Sequence, residues 1–472
     1  MSNKDPLSHL HRKVRLIDAV SIVTGSMIGS GIFIVGADIM RYTGSAGWFM
    51  LIWVIAGLMT LLAAFSYGEL SILFPKAGGQ YAYLKETLGS LLAFVYGWTL
   101  FSVIQTGTIA AVGVSFFKFL NYFVPGFSET NSYLIWGNFS VSSAQLGGVA
   151  LIGILTMINT RGIESGKHIQ TVFTVTKVLS IAGLIGFGFF NLDAEVWKAN
   201  WSDPWNLSPL ENNGGFRSYP GVSAFAGAVA AALVGALMSH EAWNNITFIA
   251  GEVRNPKRNI LKSMLIGIGL VMGVYILLNL MFTGVLRITE IGVPGKDSLG
   301  IAAAKAIFGP TGTPIIALLI MICTFGCNNG LILSGARVLY SMAKDNLFFK
   351  QAGKLNKKGS PAFALWIQAI MASILCLSGK YGDLLDMITF TAVLFYVITV
   401  LGLILLRIKK NSSLKTSGPY PLLPLLYIVC GLAFCFLLIL YKPQFTWPGL
   451  LIALLGIPIY YLTQHTSARR KF

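Results

Sequence analysis

The stretch Thr24-Gly25-Ser26-Met27-Ile28-Gly29-Ser30-Gly31 lies inside an apolar run from about Ile17 to Met40, long enough to cross a bilayer. Three glycines and two serines in eight residues make a poor helix interior, each Gly costing about 1 kcal/mol against Ala. Lipid deepens the problem, because loosened backbone leaves N–H and C=O groups with no water to bond. Two arrangements are open from this stretch alone. Gly25-x3-Gly29 and Ser26-x3-Ser30 suit close packing of two membrane helices. Alternatively the helix breaks into two halves with facing ends, one offering carbonyls and the other N–H groups at the positive end of a dipole. A small zwitterion fits such a gap.

Eleven more apolar stretches follow. The twelve candidate spans lie at 17–40, 46–73, 90–123, 145–160, 167–190, 221–250, 262–286, 312–337, 361–378, 385–406, 420–441 and 445–463. With 55% hydrophobic residues, 11% charged and a mean hydropathy of +0.70, the chain is a polytopic membrane protein and not a soluble globule. The net charge of +17 is no nucleic-acid footprint. Of the 35 Lys and Arg, roughly 25 fall on the side of the N-terminus and about 9 on the other, with Lys177 alone inside a span. Both termini and the loops at 74–89, 161–167, 251–262, 337–360 and 407–419 are therefore expected in the cytoplasm, the protein being integral to the plasma or inner membrane. The N-terminus carries no cleavable-looking signal; Lys4, Arg12, Lys13 and Arg15 lead straight into the first span. All five cysteines (Cys323, Cys327, Cys376, Cys430, Cys435) fall in apolar spans, so no outward disulfide and no metal site is expected.

Lys177 is the most informative single residue, about ten residues from either end of the fifth span. An ammonium there costs about 2.5–3.5 kcal/mol even on the lenient insertion scale. It either snorkels to an interface, a reach of roughly 15 Å, or points into the bundle. In the second case its natural partners are exposed carbonyls at a broken helix.

The sixth span supplies a second interruption. Ser239, His240, Glu241, Asn244 and Asn245 crowd seven mid-membrane residues between apolar flanks. That is expensive unless they line a water-accessible cavity; a loop between two separate short helices is the other possibility. Interruptions in the first and sixth spans, opening two five-span units, point to an inverted-repeat carrier with a midplane site. The chain then divides into a tail 1–16, repeats 17–190 and 221–406, two added helices 420–463 and a tail 464–472. Ser298–Phe308 reads as a short outward helix able to cap the cavity, and the outward segment 124–144 as ordered only in part. Asn328 and Asn329 are polar at membrane depth, one of them expected near the site.

Six motifs carry a resemblance. They are Gly25-Ser26-Met27-Ile28-Gly29-Ser30-Gly31-Ile32-Phe33, Tyr67-Gly68-Glu69-Leu70, Pro75-Lys76-Ala77-Gly78-Gly79-Gln80-Tyr81-Ala82-Tyr83, Lys177, Trp243-Asn244-Asn245 with Ala250 to Asn259, and Ala336-Arg337-Val338-Leu339-Tyr340. Together they resemble the amino acid–polyamine–organocation superfamily, more closely the L-type amino acid transporters and their bacterial relatives. The resemblance implies an all-α membrane protein of about twelve transmembrane helices. Its fold would be the five-plus-five repeat shared with the sodium-coupled leucine transporter, with helices 1 and 6 discontinuous. It implies that backbone around Gly29, Ser30 and Gly31 takes a substrate carboxylate and that carbonyls of Met27 and Met238 take the amino group. Ser239 and Glu241 would lie near the substrate side chain, with Asn329 near the site. Lys177 matches the lysine that fills the sodium position in sodium-independent members. Three departures stand out: Met238 replaces the usual aromatic gate, Ser239-His240-Glu241 replaces the usual Ala-Tyr pair and its successor, and no cysteine precedes the fourth span where animal members bond a heavy subunit.

The function implied is sodium-independent transport of L-α-amino acids, neutral ones, by alternating access and as an exchanger. A proton-coupled symporter, or a carrier of basic amino acids or polyamines with Glu241 as counter-charge, is the alternative; a non-transporting amino acid sensor is the reading from another class. An enzyme is not expected. His9 and His11 lie in the tail, His168 in a loop and His465 near the end, leaving His240-Glu241 without a nucleophile–base–orienter set. The partners expected are an L-amino acid and membrane lipid, with no nucleic acid, no cofactor and no disulfide-linked heavy subunit; the last two spans are compatible with a homodimer.

Overall fold

The computed structural model describes residues 12–128, 132–136, 139–208, 221–291, 298–378, 381–409 and 420–469. The expected N-terminal tail falls outside them up to residue 11, with Lys4, His9 and His11.

The helices appear in the expected order. The first span is two helices, Leu16–Met27 and Gly31–Thr43, meeting at a bend of 44°. The second is Ala46–Leu73, and the third Ser90–Leu120, with a π-helical turn at Leu100–Ile104. Ser143–Thr160 and Ile163–Phe190 are the fourth and fifth, Val222–Ser239 the main part of the sixth, and Pro256–Val285 the seventh. Gly312–Lys344, Ala362–Ser378, Tyr381–Lys409, Leu422–Tyr441 and Pro443–Arg469 complete the series. Among the described residues, ten helices are long and apolar enough to cross a membrane, and the bent pair makes an eleventh. The ninth of the series, with 17 residues, is shorter, about 25 Å of helix.

Several ends differ from expectation for identifiable reasons. The seventh span starts at Pro256, where a residue lacking N–H opens a helix without loss. The eighth passes its expected end at 337 and runs to Lys344, because the Arg337 charge is buried against Glu252 and marks no membrane boundary. The last helix continues through most of the expected tail 464–472, to Arg469. The all-α expectation needs one addition. Within the outward segment 124–144, Ser132–Trp136 and Phe139–Ser142 pair as an antiparallel hairpin, both strands rich in aromatic and β-branched residues.

The first span changes partners at its break. Leu16–Met27 packs on the fifth, seventh and eighth spans, whereas Gly31–Thr43 packs on Val222–Ser239 and on the short helix Leu299–Phe308. That short helix is the expected outward one. It leaves no room for side chains at Gly36 or Gly300, which face Leu299 and Phe33.

On the face that carries the N-terminus, ion pairs tie the elements together. Arg337 Nε donates to Glu252 at 2.9 Å, both side chains being almost wholly buried. Arg407 pairs with Glu69 across the second and tenth spans, and Lys167 with Asp18 at 3.2 Å. Val14 forms a bridge to Val253, its N–H donating to Glu252 O at 3.0 Å and its carbonyl accepting from the Arg254 N–H at 2.8 Å. The entry to the first span is thereby held against the exit of the sixth.

Candidate functional site

The first helix stops at Met27 because Ile28 turns to an extended conformation and the next helix begins at Gly31. Carbonyls at the end of the first half are thus without intrahelical donors. Lys177 supplies them. Its ammonium, fully buried, donates to Gly25 O at 2.6 Å, Ile28 O at 2.8 Å and Cys323 O at 3.3 Å. An ammonium has three N–H donors, and three carbonyl oxygens meet them. No carboxylate is involved; the negative end of the half-helix dipole balances the charge. Oxygen ligands of this kind are also what a bound alkali cation takes. The same face of the fifth span carries Thr174, which donates to Ser21 O at 2.9 Å, while Cys327 Sγ reaches Ser26 O at 2.9 Å from the eighth.

The second break is as marked. Val222–Ser239 ends in a non-helical stretch at residues 240–244, where Ala242 takes a φ of +69°, a conformation costing a non-glycine residue about 1–2 kcal/mol. A single α-helical turn, Asn245–Phe248, and a 3-10 turn, Ala250–Glu252, follow. The two breaks touch where Gly31 faces Ser239: a Cβ on Gly31 would lie 2.8 Å from Ser239 Oγ. Behind them stands Tyr275 of the seventh span. Its hydroxyl lies 3.1 Å from Met27 O and 3.1 Å from Ser239 O, one carbonyl from each break. The ring packs edge-on against Trp53 and His240, and His240 Nδ1 donates its hydrogen to Ala236 O at 2.8 Å.

Glu241 faces the other way, into a narrow cavity with Tyr96, Gln105, Thr108, Asn244 and Tyr396 on its walls. Tyr396 donates its hydroxyl hydrogen to Glu241. Among the described residues, no basic side chain lines that cavity. Its free volume is about 10 Å³, room for about one water, so the walls must separate before a side chain enters. Asn244 Nδ2 donates to Gln80 Oε1 at 3.2 Å, and Gln80 to Thr399 Oγ1 at 3.1 Å, closing the floor toward the N-terminal face.

The structure brings Met27, Gly29, Ser30, Gly31, Ser239 and Lys177 around the first break, Ser30 serving as N-cap of the outer half-helix. Met238 O accepts the Glu241 N–H at 3.2 Å, so the sixth-span carbonyl turned to another element is that of Ser239. Asn329 is placed differently from expectation. It accepts from Asn159 and donates to Gly166 O and Gln170 Oε1, at 2.9–3.0 Å, so its amide belongs to a tie between the fourth, fifth and eighth spans. Asn328 lies toward Gly113 of the third span. Sequence reasoning missed Tyr275, Tyr396, Gln105 and Thr174. Tyr275 had a usable signal: with Asn279 it sets a hydroxyl and an amide one turn apart in an otherwise apolar mid-span.

A family model described as amino acid permease matches residues 14–463. The chain belongs to the amino acid permease family. Among its relatives, the b(0,+)-type amino acid transporter 1 of Mus musculus is 27% identical over 453 residues, covering 96% of this chain and 88% of that protein. The serine/threonine exchanger SteT of Bacillus subtilis is 27% identical over 457 residues, 96% of this chain and 97% of the relative. The Asc-type amino acid transporter 1 of Mus musculus is 24% identical over 454 residues, 96% and 81% of the two chains. The permease is thus a multi-pass membrane transporter of amino acids and not an enzyme. The resemblance read from its motifs holds over nearly its whole length.

Proposed function

We propose that this permease exchanges neutral L-α-amino acids across the cell membrane without sodium, by alternating access around its two broken helices. The observation that carries the proposal is Lys177 on the carbonyls of Gly25 and Ile28, an ammonium fixed where a coupling cation would otherwise balance the half-helix. Opening N–H groups of Gly31–Thr43, around Gly29, Ser30 and Gly31, suit a carboxylate. Carbonyls of Met27 and Ser239 suit an ammonium: the single Tyr275 hydroxyl hydrogen is shared between them, and each carbonyl oxygen has two lone pairs. Residues 17–190 and 221–406 act as two inverted units, and the Lys and Arg excess supports a cytoplasmic side for both termini. The closed contacts at Val14–Val253 and Glu252–Arg337 are then the cytoplasmic gate. Transport proceeds without a disulfide-linked subunit.

Counterflow in proteoliposomes tests this: trans amino acid should accelerate entry of labelled substrate several-fold in sodium-free medium. Uptake that requires sodium, or that ignores trans substrate, counts against it.

One observation favours a second reading. Among the described residues Glu241 meets a tyrosine hydroxyl but no cation in its cavity, so a basic substrate side chain would be its counter-charge. A competition panel of neutral against basic amino acids and polyamines decides between the two.

A further inference from the structure

A second cavity, of about 350 Å³, opens on the N-terminal face, away from both helix breaks. Its walls come from four places: Lys13 ahead of the first span, Arg161 and Glu164 at the start of the fifth, Glu252 at the exit of the sixth, and Lys358 in the loop before the ninth. Charge matching is uneven there. Glu164 pairs with Lys13 at 3.0 Å and Glu252 with Arg337 at 2.9 Å. Both carboxylates are therefore occupied. Arg161 and Lys358 pair with no carboxylate among the described residues, yet line one cavity. The 28-residue helix Ile163–Phe190 begins at the same place with no side chain capping it, so its first N–H groups stand beside the two unmatched cations. Behind Glu252, the buried Arg337 Nη2 has no acceptor among the described residues.

We propose that this cavity binds a phosphate group: a guanidinium, an ammonium and uncapped helix N–H groups are the donor set such an anion takes. Its position at the positively charged face allows two sources, the headgroup of an anionic phospholipid or free phosphate. The site is complete only while the segment bearing Lys13 is held against the sixth-span exit through Val14 and Val253. A ligand there stabilises that closed arrangement, and its occupancy shifts the conformational balance by its preference for that state.

The test uses the full-length permease in phosphatidylcholine nanodiscs, with phosphatidic acid added to the lipid in one arm and inorganic phosphate added to the buffer in the other. Thermal stability is read for the wild type, Arg161→Gln/Lys358→Gln and the neighbouring surface variant Lys357→Gln. The expected result is a concentration-dependent rise in Tm for the wild type and Lys357→Gln in at least one arm. The double variant, which loses two charge-assisted contacts, should need about a hundredfold more ligand. A response to phosphatidic acid alone identifies lipid as the source, and a response to phosphate identifies the soluble anion. If the double variant is unstable in phosphatidylcholine alone, Lys358→Gln by itself gives the same comparison. Equal responses in wild type and variants, or none in either arm, overturn the proposal.

Discussion

The Lys177 ammonium lies 2.6 Å from the carbonyl oxygen of Gly25, joining the middle of the fifth span to the last turn before the first break. Gly25 is also a point of close approach between the two helices. A Cβ there would fall 2.1 Å from Thr174 Oγ1 and 2.2 Å from Gln170 Nε2. Cation, unwound backbone and small residue therefore act together: the glycine lets the carbonyl approach, and the ammonium makes a broken helix tolerable in lipid.

Gly25→Ala should drive the inner half-helix off the fifth span. Uptake is expected to fall at least about tenfold, since overpacking costs about 1–3 kcal/mol and here acts on the ligand of Lys177. Initial rates, normalised to the amount of protein in the membrane, check it; wild-type rates would show that the contact yields freely.

Gly31→Ala sets a methyl against Ser239 Oγ at the point where the two breaks meet. Transport should be largely lost in the single variant and partly restored in Gly31→Ala/Ser239→Gly, which removes the obstructing atom. Failure of the second substitution to restore any uptake would mean that Gly31 matters for a reason other than that contact.

Tyr275→Phe removes one hydroxyl and leaves the Met27 and Ser239 carbonyls without it. An unmet buried carbonyl costs about 1–3 kcal/mol, so kcat/KM for uptake should drop roughly fivefold or more while the protein stays folded. Unchanged kinetics would place the hydroxyl outside the mechanism.

The Glu252–Arg337 pair is buried deeply enough for its loss to be read as stability. Glu252→Ala leaves a guanidinium unpaired and is expected to cost about 3–5 kcal/mol. Replacing both residues with Leu should restore much of the Tm. A double variant no more stable than Glu252→Ala would contradict this.

Much of this arrangement was legible in the sequence, and the exceptions have physical causes. Glycine and serine inside an apolar run expose a weak helix at Gly25–Gly31, and a charge at mid-span exposes Lys177, because both violate what lipid permits. Tyr275 is a weaker signal: its pairing with Asn279 one turn on marks a polar spot in an apolar helix, but its role shows only when its hydroxyl is seen between two carbonyls. Asn328 and Asn329 announce polarity at depth but not direction, and adjacent helical residues point about 100° apart. One turns toward the third span and the other into the fifth. Arg337 misled the span boundary for a related reason, since a paired charge can lie well inside a helix that a solvated one would end.

In the proposed cycle a fixed ammonium replaces a coupling cation at the first break. Sodium-dependence of labelled amino acid uptake, measured side by side for wild type and Lys177→Ala at matched membrane levels, tests it most directly. Equal wild-type uptake with and without sodium, together with loss of uptake in the variant, is the expected result. Full uptake by Lys177→Ala in sodium-free medium would contradict it.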